Sequence, residues 1–178
     1  KEMLAYLSGK NLVFQGAEDE KYLVAINKNT TGAILLGFDD RVSIEYYGEY
    51  RKGYYLEKHT IFDALTEMWT NRADCENKLL DFEESLLERA KPYGEEYKTV
   101  LLAALRQSIA AHKLVTDTDG NVLWLSKECG SNGCVATVDV SYPSIPLYLL
   151  YNPELVKGMM RPILKFARMP IWGYDFAP

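Results

Sequence analysis

Short apolar runs separated by turn-forming residues fill the first fifty positions. Met3–Leu7, Leu12–Gln15, Tyr22–Asn27 and Ala33–Phe38 read as strands, with a turn cluster over residues 28–32. The Ala33–Phe38 run is nearly all apolar, as expected of a strand covered on both faces. From Val42 to Tyr50 the chain alternates: Val42, Ile44 and Tyr46 stand against Ser43, Glu45 and Tyr47. That period of two marks a half-buried strand.

The pattern changes near Arg51. Thr60 with Asp63 three positions later is a capping-box signal. Behind it apolar residues recur at Ile61, Leu65, Met68, Cys75, Leu79, Phe82, Leu86 and Ala90, in helical steps of three and four. Arg72 interrupts this stripe, so one long helix with a kink or break at Asn71–Asp74 is expected. Pro92 and Gly94 end it. A second helix is read from Glu95 to Val115 on the stripe Tyr97, Leu101, Ala104, Leu105, Ser108, His112 and Val115. The two helices form an αα-hairpin. Asp117–Asn121 is a turn cluster, and Val122–Lys127 alternates weakly, as a short strand. A short apolar helix is expected over Leu147–Tyr151, started by Ser144 or Pro146. Asn152-Pro153-Glu154 then signals a further helix: Asn caps, Pro occupies the first position and Glu meets the positive end of the dipole. Pro162 kinks or restarts that helix and Pro170 ends it. The fold class is therefore α+β, with a β-rich segment over residues 1–55 and a helical segment over 56–178 that carries a small β excursion near 122–127.

Composition narrows the class of function. The chain has 178 residues, of which 48% are apolar and 25% charged, which is the balance of a folded chain and not of a disordered one. A net charge of -5 leaves no basic footprint for nucleic acid. No apolar run approaches the ~20 residues of a membrane-spanning helix. His59 and His112 are the only histidines, which excludes a His-rich metal site within the chain; no metal and no cofactor is expected. Cys75, Cys129 and Cys134 are an odd set. Cys129 and Cys134 are close enough to bridge if the intervening turn folds back, but two free, half-buried thiols is the preferred reading.

Leu125–Asn152 holds the densest set of polar and turn-forming residues. Asp139 lies between Val138 and Val140, just ahead of Tyr142-Pro143. A carboxylate among β-branched apolar residues is either hydrogen-bonded or functional, because burying it unpaired is costly. It is a candidate general acid or base, or else it caps a helix or holds the Ser131-Asn132-Gly133 turn. Glu128 is a candidate second acid or a ligand for a substrate amino group, and Lys127 for a substrate carboxylate. The alternative for Lys127-Glu128 is a local ion pair of little worth when exposed. Ser131-Asn132-Gly133 is a plain turn or a nest of amides for an anion. No GxSxG or SxxK nucleophile motif is present. His112 on its apolar stripe reads as a satisfied core or interface residue. Asp39, Asp40 and Glu45 cluster near Tyr46 and Tyr47, and an interface role and a binding role are both open for them.

The block LSKECGSNGCVATVDVSYPSIPLYLLYN and the following PELVKGMMRPILKFARMPIWGYDFAP resemble the middle of the secreted glutaminase A-like proteins. So does LRQSIAAHKLVTDTDGNVLWLSKE upstream and, more loosely, FDDRVSIEYYGEY. The resemblance implies part of an α/α toroid of the six-hairpin type, preceded by a β-sandwich. Such a toroid needs more helices than this chain can hold, so the chain is expected to be a central piece of a longer protein and inactive alone. The resemblance further implies a hydrolase that converts L-glutamine to L-glutamate and ammonia, and a secreted, periplasmic or cell-surface location. On that reading Asp139 and Glu128 are the catalytic residues, and Lys127, Asn132 and Tyr142 bind substrate. The partners are a small molecule (glutamine or a glycan) and the rest of its own polypeptide. Six-hairpin toroids are also commonly glycosidases with paired carboxylates, so a carbohydrate-active enzyme is the alternative, and a non-catalytic bridge between sandwich and toroid the third.

Overall fold

The computed structural model describes residues 2–6, 12–15, 24–27, 35–128 and 133–176. Eight short strands and four helices are assigned among them: β1 (Glu2–Tyr6), β2 (Leu12–Gln15), β3 (Val24–Asn27), β4 (Leu35–Asp39), β5 (Ile44–Tyr46), β6 (Glu49–Arg51), α1 (Ile61–Ala90), α2 (Glu95–Ala110), β7 (His112–Thr116), β8 (Val122–Ser126), α3 (Val138–Tyr151) and α4 (Pro153–Ala167). The strands pair antiparallel in twos: β1 with β4, β2 with β3, β5 with β6 and β7 with β8. This is the expected α+β class. The expected strand ends at Leu7, Tyr22 and Ala33 lie outside the described residues.

The expected strand Val42–Tyr50 is instead a hairpin. Tyr47 and Gly48 both take positive φ, 49° and 86°, and fold β6 back onto β5. Two consecutive left-handed residues make the tight turn whose twist suits paired strands. The β4 run is not covered on both faces throughout, since Phe38 is exposed.

Helix α1 runs unbroken through Asn71–Asp74. Its start follows the sequence signal: Thr60 Oγ1 accepts from the Asp63 amide at 3.2 Å, and the Asp63 carboxylate accepts from the Thr60 amide at 2.7 Å. Arg72 does not break the helix because it lies on the outer face, over the Trp69 ring (5.3 Å) and beside Glu76 (3.5 Å).

The largest departure from the sequence reading concerns residues 112–116. The expected helix Glu95–Val115 ends at Ala110, and His112–Thr116 forms β7. His112 and Val115 continue the helical spacing of Ser108 by coincidence. The pairing partner decides the matter. Lys113 faces Leu125, Leu114 faces Trp124 and Val115 faces Leu123, and the Asp117–Asn121 cluster is the loop of this hairpin. Asp117 Oδ1 accepts from the amides of Asp119 (3.0 Å) and Asn121 (2.8 Å), which fixes the loop locally.

The β7–β8 hairpin is the centre of the molecule, and its pleat sorts the core into two halves. Val115, Leu123 and Leu125 face one way and pack with Tyr46 of β5. Leu114 and Trp124 face the other way and pack with Tyr148 of α3 and Met159 of α4. Covering on both faces explains why β8 reads as an almost continuous apolar run with only weak alternation. Helix α4 lies directly on β8. Gly158 is buried there, and Arg161 donates to the Val122 carbonyl.

Helix α3 begins nine residues before the expected Leu147 and contains Pro143 and Pro146. Each proline leaves one carbonyl without its helical donor, on Asp139 and on Tyr142. Both residues are exposed, a setting in which water can take the place of the missing donors and the helix continue. Helix α4 likewise runs through Pro162, whose own carbonyl accepts from the Tyr47 hydroxyl at 2.8 Å.

Candidate functional site

Segment 126–144 is built outward from the end of β8. Ser126 and Ser141 are 0% and 3% exposed, and their hydroxyls hydrogen-bond to each other. Each thus satisfies a group that would be costly to bury alone, and together they pin the first turns of α3 to the hairpin. The Ala136 amide donates to the Ser126 carbonyl at 2.7 Å, and the Glu128 amide to the Cys134 carbonyl at 3.1 Å. Lys127 bridges to Val135, and its own amide donates to the Ala111 carbonyl at 2.8 Å. The chain then turns through Ala136 at φ 59° into Thr137, the N-cap of α3. A left-handed alanine carries backbone strain, and here the ladder bond on one side and the helix start on the other hold it.

This arrangement places Lys127 opposite the end of α2. Between them opens a recess of about 580 Å³. Its wall comprises Gln107, Ser108, Ala110, Ala111 and His112 from the α2–β7 corner, Lys127 from the end of β8, and Val140, Pro143 and Ser144 from α3. The His112 ring stacks on Trp124 (4.8 Å between centroids, 8° between planes) and meets the Tyr148 ring edge-on at 5.2 Å. His112 Nδ1 lies 2.6 Å from the Ser108 carbonyl, so this nitrogen carries the proton and donates. Burial pushes the His112 pKa below its ordinary value, against the opposing pull of the Ser108 carbonyl. The ring is therefore neutral at pH 7. Its buried Nε2 has no hydrogen-bond partner among the described residues.

The residues singled out from the sequence fall into different places. Lys127 lines the recess. Asp139 sits in the first turn of α3, not in a loop ahead of it, where its charge meets the positive end of the helix dipole. It is exposed, as is Tyr142 at 73%. Both project from the solvent-facing side of α3, while their neighbours Val140 and Pro143 line the recess. Glu128 is half-buried beside Lys127. Asn132 and Cys129 lie outside the described residues. No cluster of His, Cys, Asp or Glu able to hold a metal ion occurs among the described residues. Among the described residues no helix is long and apolar enough to cross a membrane. The Asp40 carboxylate takes the Lys113 ammonium and the Ser43 hydroxyl, tying the turn after β4 to β7.

Sequence reasoning missed Gln107, Ser108 and Ser144 as wall residues. They come together only because the β7–β8 hairpin returns the chain from α2 to α3, and the hairpin was itself half-hidden in a helical stripe.

Every residue of this wall lies within the stretch that can be compared with known proteins. Residues 94–178 match the sequence model of the glutaminase A six helical-hairpin domain. Over these residues the chain is similar to that domain. Glutaminase A of Aspergillus oryzae is 41% identical over 70 residues, which is 39% of this chain and 10% of that protein. A protein named "Probable glutaminase" from Arthroderma benhamiae is 35% identical over 72 residues, 40% of this chain and 8% of that protein. The matched stretch thus spans about a tenth of the length of these glutaminase relatives. No solved structure matches the chain.

Proposed function

We infer that this glutaminase A-like chain serves a hydrolase that converts L-glutamine to L-glutamate and ammonia, and that the polar segment 127–142 contributes to its active site. The likeness of residues 94–178 to the glutaminase A hairpin domain carries this reading. In the step envisaged, Asp139 takes a proton from water as the water oxygen attacks the carboxamide carbon. The C–N bond then breaks, and nitrogen leaves as ammonia once a proton is returned to it. Glu128 shares the acid–base work, and Lys127, Asn132 and Tyr142 orient the substrate. An exposed Asp139 at a helix start is accessible to a substrate brought against α3. On this reading the intact protein is secreted, periplasmic or at the cell surface.

A second reading has an observation of its own. In α1 only Leu65 and Ala90 are buried, while Phe62, Met68, Leu79, Leu80 and Phe82 are exposed. A 30-residue helix with so much open apolar surface suits a supporting role between other parts of a larger protein. Assaying the intact protein against L-glutamine and against a panel of glycans separates the readings. Ammonia release from L-glutamine supports the first. Release of sugar alone points to a carbohydrate-active enzyme, and no turnover in either assay supports the structural role.

A further inference from the structure

We propose that the recess between the α2–β7 corner and the first half of α3 is a binding site for the carboxylate of a small organic acid, with Lys127 as its anchor. Lys127 is the sole formally charged residue among the described residues of the wall, which include no acidic side chain. It forms no ion pair among the described residues. That contrasts with Lys113, Lys78, Lys91, Lys98 and Lys157, each of which lies against an acid. In a chain of net charge -5, a half-buried lysine left unmatched in a concave wall favours an anion there. The Gln107 carboxamide is likewise uncommitted among the described residues and adds N–H donors to the same wall.

The remaining surface sets the kind of acid. Ala110, Ala111, Val140 and Pro143 offer apolar contact for a short aliphatic chain. The volume, about 580 Å³, falls in the range of small-molecule sites. The neutral His112 ring at the base adds no second positive charge, so the wall matches one carboxylate, and a diacid keeps its second carboxylate in solvent. The main-chain bond from Lys127 to Ala111 and the β-bridge to Val135 fix the lysine backbone, so that little order is lost on binding. The site deepens the glutaminase-like reading, and rests on it only in identifying the ligand as the α-carboxylate end of an amino acid.

The test uses the 178-residue chain and nuclear magnetic resonance. L-Glutamate and glutarate are titrated against it, with uncharged glutaramide as the control. The acids are expected to shift the amides of Ala111, Lys127 and Val140 and the His112 ring, with a Kd of ~1 mM for one charge match plus a small apolar contact. Lys127→Met should weaken that binding about tenfold or more, while Lys127→Arg retains it. Circular dichroism of both variants checks that the fold is kept. An equal response to glutaramide, shifts scattered away from the wall, or unchanged binding in Lys127→Met would overturn the site. Turnover of L-glutamine by the intact protein is read separately. A raised KM in Lys127→Met joins the site to the reaction. An unchanged KM alongside lost glutarate binding keeps the site and removes its assignment to the substrate.

Discussion

Gly158→Ala sets two physical effects of opposite sign against each other. Alanine in a helix interior is favoured over glycine by about 1 kcal/mol, so propensity alone makes this variant more stable. The packing of α4 on β8 says the reverse. A Cβ built on Gly158 meets the Trp124 amide nitrogen at 2.9 Å, the Val122 carbonyl oxygen at 3.1 Å and the Trp124 Cβ at 3.2 Å. Two of these atoms are main chain in the buried strand β8, so the strain cannot be relieved by turning a side chain. Relief requires α4 to lift away, which loosens Met159 against Trp124 and lengthens the bond from Arg161 to the Val122 carbonyl. Overpacking of this kind costs roughly 1–3 kcal/mol, and weakening a charge-assisted hydrogen bond adds up to ~1.5 kcal/mol. After the helical gain is subtracted, these ranges leave a net loss of about 2 kcal/mol at their midpoint and ~3.5 kcal/mol at their upper end. For a chain of this size that lowers Tm by roughly 2–10 °C. Urea unfolding followed by circular dichroism gives the free energy directly, and Gly173→Ala, where the added Cβ meets nothing within 4 Å, is the matched control. A Gly158→Ala variant as stable as the parent, or more so, would refute the close approach of α4 to β8.

Two further predictions concern polar groups. Ser141→Ala should cost about 1–3 kcal/mol in urea unfolding, because it leaves the Ser126 hydroxyl buried without its partner, and the Ser126→Ala/Ser141→Ala double variant should cost less than the sum of the singles. Burial pulls the Asp40 pKa up, but the hydrogen bonds from Lys113 and Ser43 outweigh it and hold the carboxyl below its ordinary value. Its contribution to stability is therefore complete above the unfolded pKa of ~3.9 and is lost as pH falls through the folded value. Unfolding measured from about pH 6 to pH 2 should show that loss, and Lys113→Met should flatten it.

Much of the helical layer is readable in the residues. The Thr60–Asp63 box, the Pro92-Gly94 stop and the Asn152-Pro153-Glu154 start each act within a turn of chain, so local chemistry suffices. The misread elements depend on distant partners. His112–Thr116 is a strand because Val122–Ser126 lies beside it, which no local period reveals. The first half of α3 was hidden by Pro143 and Pro146, which a helix tolerates where the freed carbonyls meet water. The candidate site divides the same way. Lys127 was legible as a charged residue at the edge of an apolar run, and the recess lines up with it. The wall opposite came from Gln107 and Ser108, on a stripe that gave no sign of a cavity.

The most direct test of the functional account is ammonia release from L-glutamine by the intact protein, wild type against Asp139→Asn. The Asp139 carboxylate is exposed in the first turn of α3 and no side-chain hydrogen bond is seen for it among the described residues, so the variant should fold normally. The account predicts turnover reduced about 100-fold or more, the scale of a lost general acid or base, with KM little changed. Wild-type turnover in Asp139→Asn would contradict it.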